Sequence, residues 1–240
     1  MLTKSWDQPT KPETGVKYHY DLVQGSDKWL AARCGLLTAS EMKLIVTPTL
    51  KVANNDKERA HLYKILAQRI TQYVEPRTIS DDMLRGQEDE VYAKAFYVEK
   101  YAPVQDIGFI TNDKWGFTLG YSPDALVGAD GLIECKSRCQ KFQAEILING
   151  TVPDDHMIQI QTGLLVSQRQ WLDYISYCGG MPMITIRVLP DPEVQNAILT
   201  AATAFERRLS EKMDAYRAAV GSTGMRLVPT ERRVEQEIRI

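Results

Sequence analysis

The sequence predicts an α/β fold, a central β-sheet flanked by helices, in a chain of 240 residues. Residues 58–73 place apolar side chains at helical spacing. Residues 104–137 hold a succession of short apolar segments broken by Gly, Pro and Asp, as neighbouring strands do. Helical and strand patterns then alternate to about residue 219, which returns the chain to both layers.

Residues 1–17 are polar and Pro-rich and are expected to be poorly ordered, ahead of a single domain over 18–220 and a charged tail over 221–240. A helix around Ser26 to Arg33 carries Trp29 and Leu30. Thr38 followed by Glu41 has the pattern of a capping box, so a second helix is expected to start near Thr38. Residues 47–57 read as loop. From Glu58 to Tyr73, the residues Leu62, Ile65, Leu66, Arg69, Ile70 and Tyr73 share helical spacing, and Pro76 closes the segment. Another helix covers Met83 to Tyr101, closed by Pro103. Strands are expected at about 104–111, 116–121, 123–128 and 131–137. A helix follows over 140–149, and another runs from Pro153 to Ser167 with Pro in its first turn. Trp171 to Cys178 alternates as a strand, Gly179-Gly180 reverses the chain, and Pro182 to Leu189 returns. Residues 191–219 form a long polar helix. There are no internal repeats.

Hydrophobic content of 44% and charged content of 25% are ordinary for a globular protein and suffice for a core without staples. A net charge of −2 gives no global signal for nucleic acid, but binding needs only a local basic surface. The four cysteines, Cys34, Cys135, Cys139 and Cys178, contain no CxxC pair, which disfavours a zinc ribbon; they read as reduced, buried apolar residues. No signal peptide is evident, and no apolar run approaches the length of a membrane span. A soluble, intracellular protein is expected.

The most informative segment is 120–138. It reads as a hairpin whose reversal uses Gly128 and Ala129-Asp130-Gly131. Alternate residues of a strand share a face, so Glu134 and Lys136 point one way and Cys135 the other. The paired strand brings Asp124 against them. Two carboxylates and an ammonium converging on one point suit metal-assisted phosphodiester hydrolysis, because carboxylates hold a hard divalent cation and a lysine can orient or deprotonate water. The bare pattern describes a solvated hairpin equally well.

Four ordered motifs add to it. Trp29-Leu30-Ala31-Ala32-Arg33-Cys34-Gly35-Leu36-Leu37-Thr38-Ala39-Ser40-Glu41 matches W-x-x-x-R-x-G-x-x-T-A-S-E. Gly86 through Glu90 matches G-x-x-x-E on a helix. Ser122-Pro123-Asp124 is followed by Glu134-Cys135-Lys136. His156 through Gln161 is close to Y-x-x-Q-x-Q, with His in place of Tyr. Together they resemble the phage lambda exonuclease family, also called the YqaJ viral recombinase family, over about Gln24 to Leu189.

The resemblance implies a restriction-endonuclease-like PD-(D/E)xK core with a mixed central sheet. It implies that Arg33, Ser40 and Ser122 contact the 5′ phosphate of DNA; His156 stands at a position that can also reach a phosphate. A guanidinium matches phosphate oxygens, and Ser40 would lie in the first turn of a helix, where free N–H groups favour an anion. Metal ligands carried over are Asp124, Glu134, the Cys135 carbonyl and Glu90; a carbonyl ligand tolerates any side chain. Lys136 and Gln159 would place the water, Lys136 as a base through a depressed pKa. Two Mg²⁺ ions, replaceable by Mn²⁺, would lie roughly 3.5 to 4 Å apart.

The implied activity is 5′-to-3′ digestion of one strand of linear double-stranded DNA to 5′ mononucleotides. The implied assembly is a homotrimeric toroid in the host cytoplasm, and the implied partner is a phage single-strand annealing protein that takes the 3′ overhang in recombination. Met83 and Leu84 would be either an apolar wedge at the DNA end or ordinary core. A restriction-type endonuclease, an iron–sulfur nuclease on the same fold, and a catalytically silent DNA-end-binding protein are the rival readings.

Overall fold

A computed structural model describes residues 15–76, 80–222 and 224–232. Its strands form two mixed four-stranded sheets flanked by helices. The first sheet contains β1 (Val16–His19), β2 (Leu37–Thr38), β3 (Phe109–Asn112) and β4 (Leu119–Tyr121), in the order β1-β3-β4-β2. The second contains β5 (Ala125–Val127), β6 (Gly131–Ser137), β7 (Trp171–Tyr177) and β8 (Ile184–Val188), in chain order. The chain passes from one sheet to the other through Ser122-Pro123-Asp124, and this crossing places the candidate site.

Six α-helices surround the sheets among the described residues: α1 (Asp27–Arg33), α2 (Asp56–Thr71), α3 (Asp81–Lys100), α4 (Gln140–Asn149), α5 (Asp154–Ser167) and α6 (Pro192–Val220). α5 is buried nearly all round from Ile160 to Ser167, as a helix packed on several sides must be. It rests on β3, β4 and β7 and meets α6 on its far side. α2 is tied to α6 by a two-pronged pair, Arg69 to Glu206 at 2.8 and 2.7 Å, while Arg69 Nε donates to the carbonyl of Gly35. Gly35 has φ +73°, and a Cβ there would lie 2.7 Å from Arg69 Cγ, so only glycine fits.

The structure corrects several expectations. Val16 and Lys17 were expected to be poorly ordered, yet they open β1, which pairs with β3 from Val16–Asn112 to His19–Phe109. Residues 1–14 of that segment lie outside the described residues, as do 233–240 of the charged tail. The strand expected at 104–111 begins only at Phe109. Gln105 bridges to Leu126 in the second sheet, and the chain then crosses to the first at Gly108, where a side chain would strike the Leu22 carbonyl. A residue-by-residue pattern cannot show that one apolar stretch serves two sheets.

Thr38 does not cap an α-helix. A six-residue 3₁₀ helix, Ala39–Leu44, follows it, and Thr38 makes no side-chain cap bond. Of the cysteines, only Cys178 is fully buried; Cys139 is exposed and the other two are half-buried. No helix among the described residues is long and apolar enough to cross a membrane.

The second sheet is clamped to α3 through Asp173. Its buried carboxylate accepts from Tyr97 Oη at 2.6 Å and from Arg187 Nε and Nη2 at 2.8 and 2.9 Å. Asp173→Ala strands the buried Tyr97 hydroxyl, while Arg187, half exposed, regains water. The expected loss of unfolding free energy is about 1–3 kcal/mol, to be read from urea denaturation.

Candidate active site

Glu134 and Lys136 share a face of β6, and Lys136 Nζ donates to Glu134 Oε1 at 2.7 Å. Gln159, one turn and a half into α5, donates to the same oxygen at 2.5 Å. Tyr121, the last residue of β4, donates its hydroxyl to Glu134 Oε2 at 2.8 Å. The buried Glu134 carboxylate therefore gathers donors from both sheets and from α5.

Asp124 sits just before β5 and faces the edge of β6. Its Oδ2 accepts from the backbone N–H of Cys135 at 2.5 Å. In an antiparallel ladder a residue's N–H and C=O leave by the same edge, so the Cys135 carbonyl also faces the Asp124 side. Burial pushes the Cys135 thiol up, and Asp124, Glu90 and Glu134 add to the push.

Charge is crowded here. Asp124 is surrounded by protein atoms although part of its surface reaches solvent. Burial holds its carboxyl well above the usual carboxylate range, and the negative charges of Glu134 and Glu90 raise it further, against the pull of Lys136 and the Cys135 N–H. For Lys136, burial acts downward, but Glu134 and Asp124 outweigh it and hold the ammonium above its ordinary range. The depressed pKa expected for Lys136 belongs to the metal-bound site; with the carboxylates uncompensated, the shift is upward. Two neighbouring carboxylates favour the ammonium form, and Lys136 Nζ donates to one of them.

Glu90, on α3, lies near enough to Asp124 for its charge to raise the Asp124 carboxyl. It is paired with Lys94 one turn on, at 2.9 Å, and Lys94 also approaches Asp106 at 3.4 Å. Of its neighbours, Glu88 is exposed. Asp89 accepts from Ser137 Oγ at 2.5 Å, so it too reaches the end of β6, which helix geometry alone did not suggest. Among the described residues, no three His, Cys, Asp or Glu side chains form a metal-holding group. Both oxygens of Glu134 and Oδ2 of Asp124 are turned onto donors, and the Cys135 carbonyl leaves β6 on the Asp124 side. These are hard oxygen donors whose mutual repulsion a divalent cation would relieve, so the residues fit a hard divalent cation.

Arg33 lies beside this centre. Its guanidinium stacks over the Trp29 ring at 4.3 Å and donates to Ser122 Oγ at 3.1 Å and Thr38 Oγ1 at 3.3 Å. Trp29 Nε1 also donates to Ser122 Oγ, at 3.0 Å. Ser26 caps α1 by accepting from the Trp29 N–H, which fixes the helix that carries both side chains of this contact. The structure therefore brings Arg33 and Ser122 together. Ser40 is exposed in the 3₁₀ helix and joins none of these bonds. Six residues of 3₁₀ helix make a weak dipole, so the helix-terminus argument for Ser40 loses its force.

His156 sits in the first turn of α5, with Nδ1 2.9 Å from the Tyr174 hydroxyl and Nε2 3.6 Å from Asp155. Burial lowers its pKa from 6.5 to about 4; Asp155 opposes this, and the cations Lys136, Arg138 and Lys43 reinforce it. Burial thus favours the neutral imidazole at His156. Its folded pKa lies below the unfolded value, so the unfolded chain binds the extra proton first. The stability that neutral His156 contributes is full above pH 6.5 and is lost as pH falls toward about 4. His156→Gln is expected to reduce this acid destabilisation by up to about 3 kcal/mol. Chemical denaturation at pH 7.5 and pH 4.5 checks it.

Sequence reasoning missed Tyr121, Lys94, Tyr174 and Asp89. Lys94 was legible as the i+4 partner of Glu90. Tyr121 and Tyr174 had no signal, since each reads as one more aromatic residue of a core strand.

The family model described as a YqaJ-like viral recombinase domain matches residues 28–170, which include every site residue named above except Tyr174. Among solved structures, the chain is similar to an alkaline exonuclease, LHK-Exo, from Laribacter hongkongensis: 28% identity and TM-score 0.72, covering 81% of this chain and 98% of that one. The same exonuclease in complex with dAMP matches with TM-score 0.73, 28% identity and the same coverage. A phage related exonuclease from Haemophilus somnus 129PT shares the fold at 13% identity and TM-score 0.52, covering 74% of this chain and 96% of that one. A comparison with curated proteins returned no match.

Proposed function

The chain belongs to the YqaJ-like viral recombinase family, and from that premise we propose that it is a divalent-metal-dependent exonuclease that digests one strand of linear double-stranded DNA from the 5′ end. The observation that carries the reading is the convergence of Asp124, Glu134, Lys136 and Gln159 at the crossing between the sheets. The likeness to an alkaline exonuclease that binds dAMP supports it, because a deoxynucleoside monophosphate is the kind of product such a reaction releases.

Asp124, Glu134 and the Cys135 carbonyl would hold one Mg²⁺, and Glu90 would support a second if it leaves Lys94. Bound there, the metal supplies Lewis-acid polarisation of the scissile phosphate and lowers the pKa of water. The protein's own groups then do the positioning. Lys136, cationic and fixed against Glu134, offers hydrogen bonds where negative charge grows on the phosphate. Gln159, from α5, orients the attacking water. Arg33, presented by α1 over Trp29, meets the terminal 5′ phosphate with Ser122 beside it. His156, neutral, is limited to hydrogen bonding. A homotrimeric ring around DNA and a partner annealing protein that receives the 3′ overhang complete the reading.

The test compares equal masses of closed circular and linear duplex DNA with Mg²⁺, with Mn²⁺ and with EDTA. Loss of the linear DNA alone, in either metal and not in EDTA, supports an end-dependent nuclease. Cutting of the circle supports a restriction-type endonuclease, and binding of ends without loss supports a silent end-binding protein.

A further inference from the structure

Glu134 is held by Tyr121 from a different sheet, and this contact depends on a glycine in α5. Tyr121 is buried, with 1% of its surface exposed, and its hydroxyl lies 2.8 Å from Glu134 Oε2. Its ring passes beneath Gly163. A Cβ at 163 would stand 2.7 Å from ring atoms Cε1 and Cζ, so no other residue leaves the ring where it is. Gly163 lies one turn after Gln159 on the same face of α5. The phenol therefore sits under the helix that carries Gln159 and against the carboxylate that Gln159 touches.

The two oxygens of Glu134 are thereby divided. Oε1 takes Lys136 and Gln159, both assigned above to the reacting phosphate and water. Oε2 takes only the phenol among these groups. A carboxylate this buried needs a donor on each oxygen to stay in one rotamer. We infer that Tyr121 is a positioning residue for the metal ligand Glu134: its hydroxyl fixes the carboxylate so that Oε1 faces the cation and water side, and Gly163 exists in α5 to admit its ring. The inference rests on the reading of Glu134 as a metal ligand.

The experiment is Mn²⁺ binding measured by calorimetry on the full chain, wild type beside Tyr121→Phe, with the melting temperature of each in EDTA. Phenylalanine keeps the ring under Gly163 and removes only the donor. The expected result is Mn²⁺ affinity reduced on the order of 10-fold, with kcat reduced at saturating metal and the DNA KM unchanged. Equal Mn²⁺ affinity in a folded variant overturns the inference. Failure of the wild type to bind Mn²⁺ overturns the metal reading of Glu134 instead, which separates the two. Should the variant unfold, 3-fluorotyrosine placed at 121 decides: its ¹⁹F resonance is expected to move as Mg²⁺ saturates the site, and a resonance that stays still overturns the inference.

Discussion

Asp124→Asn is expected to raise the melting temperature of the protein in EDTA by several degrees while cutting DNA digestion by more than about 10³-fold. Both effects come from one cause. Burial and the charges of Glu134 and Glu90 oppose a negative Asp124, which lifts its folded pKa above the unfolded one. A raised carboxylate makes the folded state less stable as pH rises past its ordinary range, because the unfolded chain ionises freely there. Asparagine keeps the shape and can still accept the Cys135 N–H, but brings no charge. The same substitution removes the hard anionic ligand a divalent cation needs, so its loss exceeds the roughly 10–100-fold typical of an outer partner. Differential scanning calorimetry with and without Mg²⁺ reads both consequences. Wild type is expected to gain stability with Mg²⁺ and Asp124→Asn to gain none. A variant less stable than wild type in EDTA would show that Asp124 is a structural carboxylate.

Lys136→Ala is expected to slow digestion by about 10²–10⁴-fold at saturating Mg²⁺ while leaving metal affinity equal or tighter. Tighter binding is plausible chemistry, since Lys136 competes with a cation for Glu134 Oε1. A donor and a general base differ in the pH profile. With Lys136 kept cationic by Glu134 and Asp124, the variant should lose rate evenly across the range in which the wild type is active. Selective disappearance of one limb of the profile in Lys136→Ala would identify Lys136 as a titrating base and overturn the donor role.

Much of the site was legible because its signal is local. Asp124, Glu134 and Lys136 lie on one hairpin, where strand alternation and a turn fix who faces whom. Gln159 and Glu90 were legible through motifs on helices. What the sequence hides is what depends on several segments at once. Tyr121 acquires meaning only when the two sheets meet across Ser122-Pro123-Asp124 and Gly163 opens the space. The charge states of Lys136 and His156 depend on neighbours drawn from several segments, so neither can be read from its own place in the sequence. Thr38 and Glu41 carried a capping pattern, but Thr38 instead accepts from Arg33 and donates to Glu41 at 3.5 Å, and Glu41 pairs with Lys64. β1 escaped because four residues are too short for alternation to stand out.

The central claim is strand-selective digestion from a 5′ end. Its most direct test is a time course on one linear duplex, 5′-phosphorylated at one end, blocked at the other and labelled on either strand, with Mg²⁺ and a parallel EDTA control. The expected result is release of mononucleotides from the 5′ end of the phosphorylated strand while its complement survives. Internal cuts in both strands, or release beginning at the 3′ end, would contradict it.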